Sequence, residues 1–378
     1  MTFARDLASF ADSATQNLSF RNLIINGDMQ IAQRGTSTAG ITTDSLATAD
    51  RWISQIGTLG TWTNSVENDA PTGSGFRKSW KWLCTTADAS PAAGDFMVPQ
   101  TRLEGQSLQQ IAKGTASAKE LTLSFWVKAN VTGTYIVGLF DIDNTRIVSK
   151  SYTINASATW EKKTITFPAD TTGAFDNDSN RSLDIQFWLS AGTNFTSGTL
   201  ATTWQSNTSA NRAVGQTNLA AATNNYWQIT GVQLEVGPAP TPFEFLSEQV
   251  ELSLCQRYYE KSFALSQAPA NAIYTVTYLG LIAYSDLWTL SFPNIPFKVE
   301  KRGTPTMAFY GSSTNTWQIY NSDETYTTWG NIYTGGIRGF TPIYSKSFGV
   351  GAYPGGSSGL PVGTVRIMRG DWTADAEL

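Results

Sequence analysis

The stretch Leu-Thr-Leu-Ser-Phe-Trp-Val at residues 121–127 places an apolar side chain at every second position. Successive side chains of a strand point to opposite faces, so Leu121, Leu123, Phe125 and Val127 share one face of an extended strand. Stretches of the same kind recur at residues 135–140, 163–167, 183–189 and 226–236. Many short strands separated by turn clusters, with no long helical stretch, predict an all-β fold whose main part is a two-sheet, jelly-roll β-sandwich.

The chain is longer than one hydrophobic core usually allows, which predicts more than one domain. The run Gly-Pro-Ala-Pro-Thr-Pro at residues 237–242 marks a boundary, because proline there stops both helices and sheet ladders. A short helical pattern follows, and the region after it is rich in Tyr, Trp and Gly. The predicted parts are a docking helix at 1–20, a jelly roll at 21–246, a helical linker at 247–261 and a smaller β-rich domain at 262–378.

Charged residues form only 15% of the chain, and the net charge is −4. Lys and Arg are scattered and form no basic stripe, which argues against nucleic acid as a ligand. No apolar run is long enough for a signal peptide or a membrane span. Cys84 and Cys255 lie too far apart in the sequence to suggest a disulfide framework or a metal knuckle. We therefore expect a soluble protein that is made in the cytoplasm.

Histidine is absent from the sequence. That absence excludes histidine-based catalytic triads and the usual zinc and iron ligand sets. A hydrolase that uses only carboxylates is still possible. We expect a binding or structural protein and not an enzyme.

The first residues predict a short amphipathic helix, with Phe3, Leu7 and Phe10 at positions i, i+4 and i+7. A helix this short is not stable alone in water. We therefore expect it to dock, either on its own fold, on sister chains or on a partner.

Several strings of this sequence resemble a module that recurs in tail-fibre and other appendage proteins of tailed bacteriophages. The resemblance covers nearly the whole chain and includes an Asn-Gly-Asp opening and a Cys-Gln-Arg-Tyr-Tyr motif. It implies a jelly roll like those of carbohydrate-binding modules, a C-terminal β-domain and a place in a virion, without saying which part. The strings that carry it are residues 21–34, 49–52, 121–129, 158–162, 231–237, 239–244, 255–259 and 372–378.

Two acidic loops are candidates for calcium, one with Asp141 and Asp143 and one with Asp176 and Asp178. The second loop is not an EF-hand, because Arg181 replaces the required glycine. Asx-rich turns also arise simply because Asp and Asn stabilise turns, and this interpretation is favoured. The resemblance keeps a structural calcium ion open, since related jelly-roll modules often carry one.

Aromatic side chains of the C-terminal region are candidates for stacking on sugar rings. They lie among Ser, Thr, Asn and Gly, which is the composition of loop surfaces. The alternative is that they pack within a small domain or at a subunit interface. The candidate glycan-binding residues are Trp317, Tyr320, Tyr326, Trp329 and Tyr333.

In the jelly-roll region, Trp52 is expected to lie in the core. Three carboxylates there are candidates for a pair that hydrolyses glycosides, Glu104, Asp184 and Glu235, but no spacing singles out any two of them. We expect Glu104 and Glu235 to face solvent.

Three functions follow as hypotheses. The first is a tail fibre or receptor-binding protein, a homotrimer whose residues Phe3, Leu7 and Phe10 dock on other virion proteins and whose weak glycan sites gain avidity from identical chains. The second is a capsid decoration or head-fibre protein. The third is a carboxylate-based glycan depolymerase, against which stands the lack of a β-helix repeat. The first two predict a virion protein without nucleic-acid binding or membrane insertion.

Overall fold

The protein is described by a computed structural model. It describes residues 20–46, 48–273, 277–279, 290–291, 294–311, 318–321, 326–327, 344–348, 351–352 and 366–378, with backbone alone at 277–279, 290–291, 318–321, 326–327, 351–352 and 366–369. The chain forms two compact units. The first unit comprises Met1–Met29, Ala39–Ser45 and Trp52–Ser247, and the second comprises Gln30–Thr38, Leu46–Arg51 and Glu248–Leu378.

The first unit is a sandwich of two antiparallel sheets. Its strands are β1 (Ser37–Ile41), β2 (Trp52–Gly57), β3 (Thr61–Glu67), β4 (Ser79–Thr86), β5 (Phe96–Glu104), β6 (Leu121–Ala129), β7 (Gly133–Asp141), β8 (Arg146–Ile154), β9 (Glu161–Phe167), β10 (Arg181–Trp188), β11 (Ser190–Ala191), β12 (Gln205–Ser206) and β13 (Tyr226–Val236). One sheet has six strands in the order β1-β3-β4-β13-β6-β9. The other has seven, in the order β11-β5-β10-β7-β8-β12, with β2 also paired to β5. The predicted all-β jelly-roll sandwich is confirmed.

Aromatic rings from both sheets meet in the core. Trp82 and Trp227 face each other across β4 and β13, and the ring of Phe187 lies 5.3 Å from Phe125 and 5.6 Å from Trp227. Trp52 is fully buried, which confirms its predicted place in the core. The alternation at residues 121–127 is confirmed as well, because its four apolar residues are all buried. Burial of this much aromatic surface is the main term that stabilises the sandwich.

Gly231 interrupts β13 at a bulge. The register to β6 shifts between Thr230 and Gln233, and Gly231 has a φ of +61°, in the left-handed region that favours glycine. The ring of Phe76 packs directly over it, where a Cβ atom would come within 2.4 Å. The strand therefore needs glycine here for two independent reasons.

Residues 192–217 form a segment that lies over the outer face of the seven-stranded sheet, and we call it the cover segment. It contains helix α1 (Thr193–Thr196), the strand β12 and a short 3-10 helix (Ser209–Asn211). Two further 3-10 helices span Gly105–Ile111 and Leu219–Ala221. Ala213 and Phe195 of the cover segment pack on Trp188 and Val98, so this part of the outer face is closed to water.

The second unit is built from short elements. It contains helix α2 (Glu248–Gln256) and the strands β14 (Tyr259–Lys261), β15 (Thr277–Leu279), β16 (Leu290–Ser291), β17 (Ile295–Pro296), β18 (Thr306–Tyr310), β19 (Gln318–Asn321), β20 (Tyr326–Thr327), β21 (Ser347–Phe348), β22 (Gly351–Ala352), β23 (Arg366–Arg369) and β24 (Asp371–Asp375). Its sheets have the orders β14-β24-β18, β15-β23-β19-β20, β16-β22 and β17-β21. The helical pattern at 247–261 ends early, because residues 259–261 pair with β24 instead.

Two arginines organise the second unit, Arg51 with a buried side chain and Arg34 with a half-buried one. The guanidinium of Arg34 lies 3.7 Å from the ring centre of Tyr259, and that of Arg51 lies 3.4 Å from the ring centre of Tyr258. Both arginines form ion pairs with Glu377. Burial alone would lower the pKa of Arg34, but the neighbouring carboxylates raise it above its usual value. We call these five residues the ionic cluster.

The predicted N-terminal helix, with Phe3, Leu7 and Phe10, lies outside the described residues. Within the described part of the chain, no helix combines the length and the apolar character needed to cross a membrane.

We predict that Glu377→Gln destabilises the second unit by about 3–5 kcal/mol, because it removes the carboxylate from two buried guanidinium groups. Asp375→Asn is the matched control. This substitution also removes a carboxylate from Arg34, but the side chain of Asp375 is 40% exposed, against 6% for Glu377. The expected loss of stability is therefore under about 1 kcal/mol. Urea unfolding followed by tryptophan fluorescence measures both, and equal losses would contradict the role given to Glu377.

Candidate functional site

The aromatic candidates of the C-terminal region fall largely outside the described residues. Trp317, Trp329 and Tyr333 lie there entirely. For Tyr320 and Tyr326 the backbone is described, and the two residues are paired across β19 and β20. Glycan stacking by this group of side chains stays a prediction.

The two acidic loops proposed for calcium lie against each other. The backbone N–H of Asp176 donates to a carboxylate oxygen of Asp143 over 3.0 Å. Asn144 donates from its side chain both to Asp141 and to the carbonyl oxygen of Ala174. The carboxylate of Asp178 instead accepts from the backbone N–H of Asn180, as in the turn interpretation. The fold thus brings together two loops that the sequence separates.

An ammonium group lies where the loops meet. Nζ of Lys113 donates to Asp141 over 2.5 Å, to the carbonyl of Thr172 over 3.0 Å and to the carbonyl of Gly173 over 2.7 Å, and it lies 3.1 Å from Asp170. The side chain of Lys113 is 2% exposed. No group of three or more acidic or cysteine side chains that could hold a metal ion is found among the described residues. Calcium at these loops stays a prediction.

The carboxylate of Asp170 is held by two cations. Arg146 donates to both of its oxygens, over 2.8 and 3.0 Å. Burial alone would raise the pKa of Asp170, but the hydrogen bonds from Arg146 and Lys113 bring it below its usual value. This carboxylate therefore stays ionised and clamps the loops at neutral pH.

The expectation that Glu104 and Glu235 face solvent is wrong. Their exposed fractions are 1% and 3%. Glu235 is buried because it accepts hydrogen bonds from the backbone and the hydroxyl of Thr241, over 2.8 and 2.7 Å. Glu104 accepts from the side-chain amide of Gln106. Both carboxylates therefore serve as internal hydrogen-bond acceptors.

The outer face of the seven-stranded sheet carries a row of polar side chains, of which the sequence analysis had named only Asp184 as a candidate site residue. Asp184 pairs with Arg102, and Gln186 pairs with Gln100, across β10 and β5. The alternation of residues 183–189 already implied an outward position for Asp184 and Gln186, because Leu183, Ile185, Phe187 and Leu189 point inward. We call Gln100, Arg102, Arg181, Asp184, Gln186 and Arg212 the polar face.

Hydrogen bonds join the polar face into one network. Arg181 donates to both carboxylate oxygens of Asp184, one of them over 2.6 Å. The side-chain amides of Gln186 and Gln100 lie 3.0 Å apart, and the guanidinium of Arg102 lies 3.1 Å from the Gln100 amide at its other end. Asp184, Gln186 and Gln100 are nearly inaccessible to water. Polar groups are rarely buried this deeply on the outer face of a sheet without a specific arrangement of partners.

Arg212 reaches the network from the cover segment. Its Nη2 donates to the side-chain oxygen of Gln186 over 2.6 Å. Its guanidinium carbon lies 4.9 Å from the ring centre of Phe140 and 5.1 Å from that of Trp188. Burial lowers the pKa of Arg212 to about 10, and Asp184 does not offset this fully because Arg181 adds repulsion. The half-buried groups of this face are thus guanidinium groups and the ring of Phe140, whereas the amides of Gln100 and Gln186 are enclosed.

The first unit is therefore an all-β sandwich with a hydrogen-bonding outer face. No family model matches the chain, and no curated protein is similar to it. One similar solved structure is the enzymatically active domain of tailspike protein 4 of bacteriophage CBA120, with 15% identity over 57% of this chain and 21% of that one, at a TM-score of 0.31. This chain thus spans about a fifth of the tailspike chain.

Two carbohydrate-binding modules are also similar to this chain. One is the family 11 module of Clostridium thermocellum in complex with a mixed-linked tetrasaccharide, with 11% identity over 54% of this chain and 97% of that one, at a TM-score of 0.27. The other is the CBM22-1 xylan-binding domain of Paenibacillus barcinonensis Xyn10C, with 9% identity over 58% and 96% of the two chains and a TM-score of 0.26. All these scores lie below 0.5, so the function proposed below rests on this chain's own side chains.

We predict that Arg181→Met and Arg212→Met differ sharply in stability. Loss of Arg181 leaves the buried carboxylate of Asp184 without its cation, and the expected cost is about 3 kcal/mol. Loss of Arg212 leaves no carboxylate without a counter-ion, and methionine fills the space beside the two rings. The free energy of unfolding should therefore change by no more than about 1 kcal/mol. Urea unfolding compares the two variants. A large loss in Arg212→Met would show that this guanidinium is needed for folding.

We predict that Lys113→Met destabilises the first unit by about 3–5 kcal/mol, because Asp141 loses its counter-ion in a fully buried position. Lys150→Met, on β8 and without an ion pair in the described residues, is the control and should change stability by under about 1 kcal/mol. Thermal unfolding in EDTA and in calcium chloride measures the stability of both variants.

A calcium-dependent rise in the melting temperature of the unaltered protein would confirm the predicted metal.

Proposed function

We propose that this chain is a virion appendage protein of a tailed bacteriophage, a tail fibre or receptor-binding protein that attaches to a host-surface glycan through the polar face. The observation that carries the proposal is the set of three half-buried guanidinium groups, those of Arg102, Arg181 and Arg212, beside the half-buried ring of Phe140. Guanidinium groups donate hydrogen bonds in a fixed plane. Saccharide hydroxyls accept hydrogen bonds from such donors, and an aromatic ring suits the apolar face of a sugar.

The phage assignment draws on the strings that resemble appendage proteins. Four of them supply the ionic cluster of the second unit: residues 21–34 contribute Arg34, residues 49–52 contribute Arg51, residues 255–259 contribute Tyr258 and Tyr259, and residues 372–378 contribute Glu377. These motif residues therefore have a structural task in this chain. A homotrimer docked to the virion by the N-terminal segment would gain avidity from several weak glycan sites.

A binding role without catalysis fits the state of the carboxylates. Both oxygens of Asp184 are held by Arg181, and Glu104 lies on the neighbouring strand as an internal acceptor. A glycosidase needs one carboxylic acid and one carboxylate free to reach the scissile bond. Incubation with host polysaccharide should therefore leave its chain length unchanged.

We predict that the purified protein blocks phage adsorption. We also predict that Arg102→Ala and Phe140→Ala each weaken binding to host-surface polysaccharide by about tenfold or more, and tenfold is about 1.4 kcal/mol of binding free energy. Arg77→Ala, which removes an exposed arginine of the same unit, is the control and should bind normally. Trp317→Ala and Trp329→Ala test the C-terminal prediction in the same assay.

Antibody labelling of intact particles in the electron microscope completes the test. Label at the tail together with blocked adsorption supports the proposal. Label spread over the head with unchanged adsorption would contradict it and would indicate a capsid decoration protein.

A further inference from the structure

Within the part of the chain that the structure describes, Arg212 forms no ion pair with a carboxylate. Asp184, the carboxylate whose charge acts on Arg212, has both oxygens engaged by Arg181. The hydrogen bond that Arg212 makes goes to the neutral amide of Gln186. Glu104, which pairs in register with Arg181, accepts from Gln106. A half-buried charge that lacks a counter-ion costs stability, so its retention calls for a function.

The donors of Arg212 are available to a ligand. Its Nε and Nη1 groups have no hydrogen-bond acceptor among the described residues, and neither is a fully enclosed atom. A guanidinium presents such groups as a planar fork that matches the two oxygens of a carboxylate. A carboxylate bound there would supply the missing negative charge.

The guanidinium is also held in place before any ligand arrives. The rings of Phe140 and Trp188 lie against it at 4.9 and 5.1 Å. Its backbone N–H closes the 3-10 helix by donating to the carbonyl of Ser209 over 3.1 Å. Residues on both sides of Arg212 are fixed as well, since Ala201 donates to the carbonyl of Asn211, and Ala213 donates to that of Phe195. Preorganisation of this kind reduces the entropy lost on binding.

From this geometry we infer that Arg212 binds the carboxylate of an acidic sugar residue, a uronic acid, within the glycan that lies on the polar face. The inference rests on the proposed function and narrows its ligand to an anionic saccharide. The chain as a whole is acidic, with a net charge of −4, so attraction of an anion depends on this local excess of arginine.

The test uses the full-length protein and oligogalacturonate, with the carboxyl-reduced oligomer as the neutral comparison, in isothermal titration calorimetry. The unaltered protein should bind the oligogalacturonate more tightly than the reduced oligomer, by about tenfold or more. Added salt should reduce this difference in affinity. Arg212→Gln should remove the preference. Arg212→Lys should keep part of it, because lysine retains the charge without the fork. Arg77→Gln is the control and should bind like the unaltered protein.

Two results would overturn the inference, and they differ in their meaning for the proposed function. Equal binding of both oligomers, unaffected by Arg212→Gln, would refute carboxylate recognition and leave a neutral glycan as the ligand. Failure of both oligomers to bind would refute the inference as well. If the Arg212→Gln variant then blocked phage adsorption as strongly as the unaltered protein does, the proposed role in host attachment would still hold. Circular dichroism of each variant shows that it is folded.

Discussion

The desolvation of charge is the constraint on which this structure depends. A buried ion costs several kcal/mol unless a partner of opposite charge lies within reach. With only 15% charged residues, the chain nonetheless encloses Lys113, Lys301 and Arg51, and each meets a buried carboxylate. These pairs lie at different places in the fold, and each one fixes loops or strands that hydrophobic packing alone would leave unspecified.

The two units use this constraint in different ways. In the sandwich, an aromatic core supplies most of the stability, and the Lys113 ammonium only gathers loops at one edge. In the second unit the strands are short, and buried ion pairs contribute a larger part of the stability. Lys301 donates to Glu260 and to the carbonyl oxygens of Gln256 and Val299, each over 2.6 Å, while Glu377 joins Arg34 and Arg51.

Arg212 departs from the pattern, and the departure points to function. On the same face, Arg181 and Asp184 form an ion pair. Arg212 is instead held by a neutral amide and two rings, and burial keeps its pKa lowered to about 10. Proteins generally keep an unfavourable arrangement only where it serves a purpose, such as waiting for a ligand that completes it.

The sandwich and its core followed from the alternating apolar pattern, because alternation with a period of two is visible locally along each strand. The pattern also implied that Asp184 and Gln186 point outward, although the polar face was not recognised from it. Which charges meet became evident from the folded chain alone. Arg51 and Glu377 are 326 residues apart, and Lys113 and Asp141 are 28 apart. Charge pairing leaves no periodic trace, because it depends on strand order and loop approach. The outward expectation for Glu104 and Glu235 failed for a different reason, because donors close by in the chain, Gln106 and Thr241, supply hydrogen bonds to the two buried carboxylates.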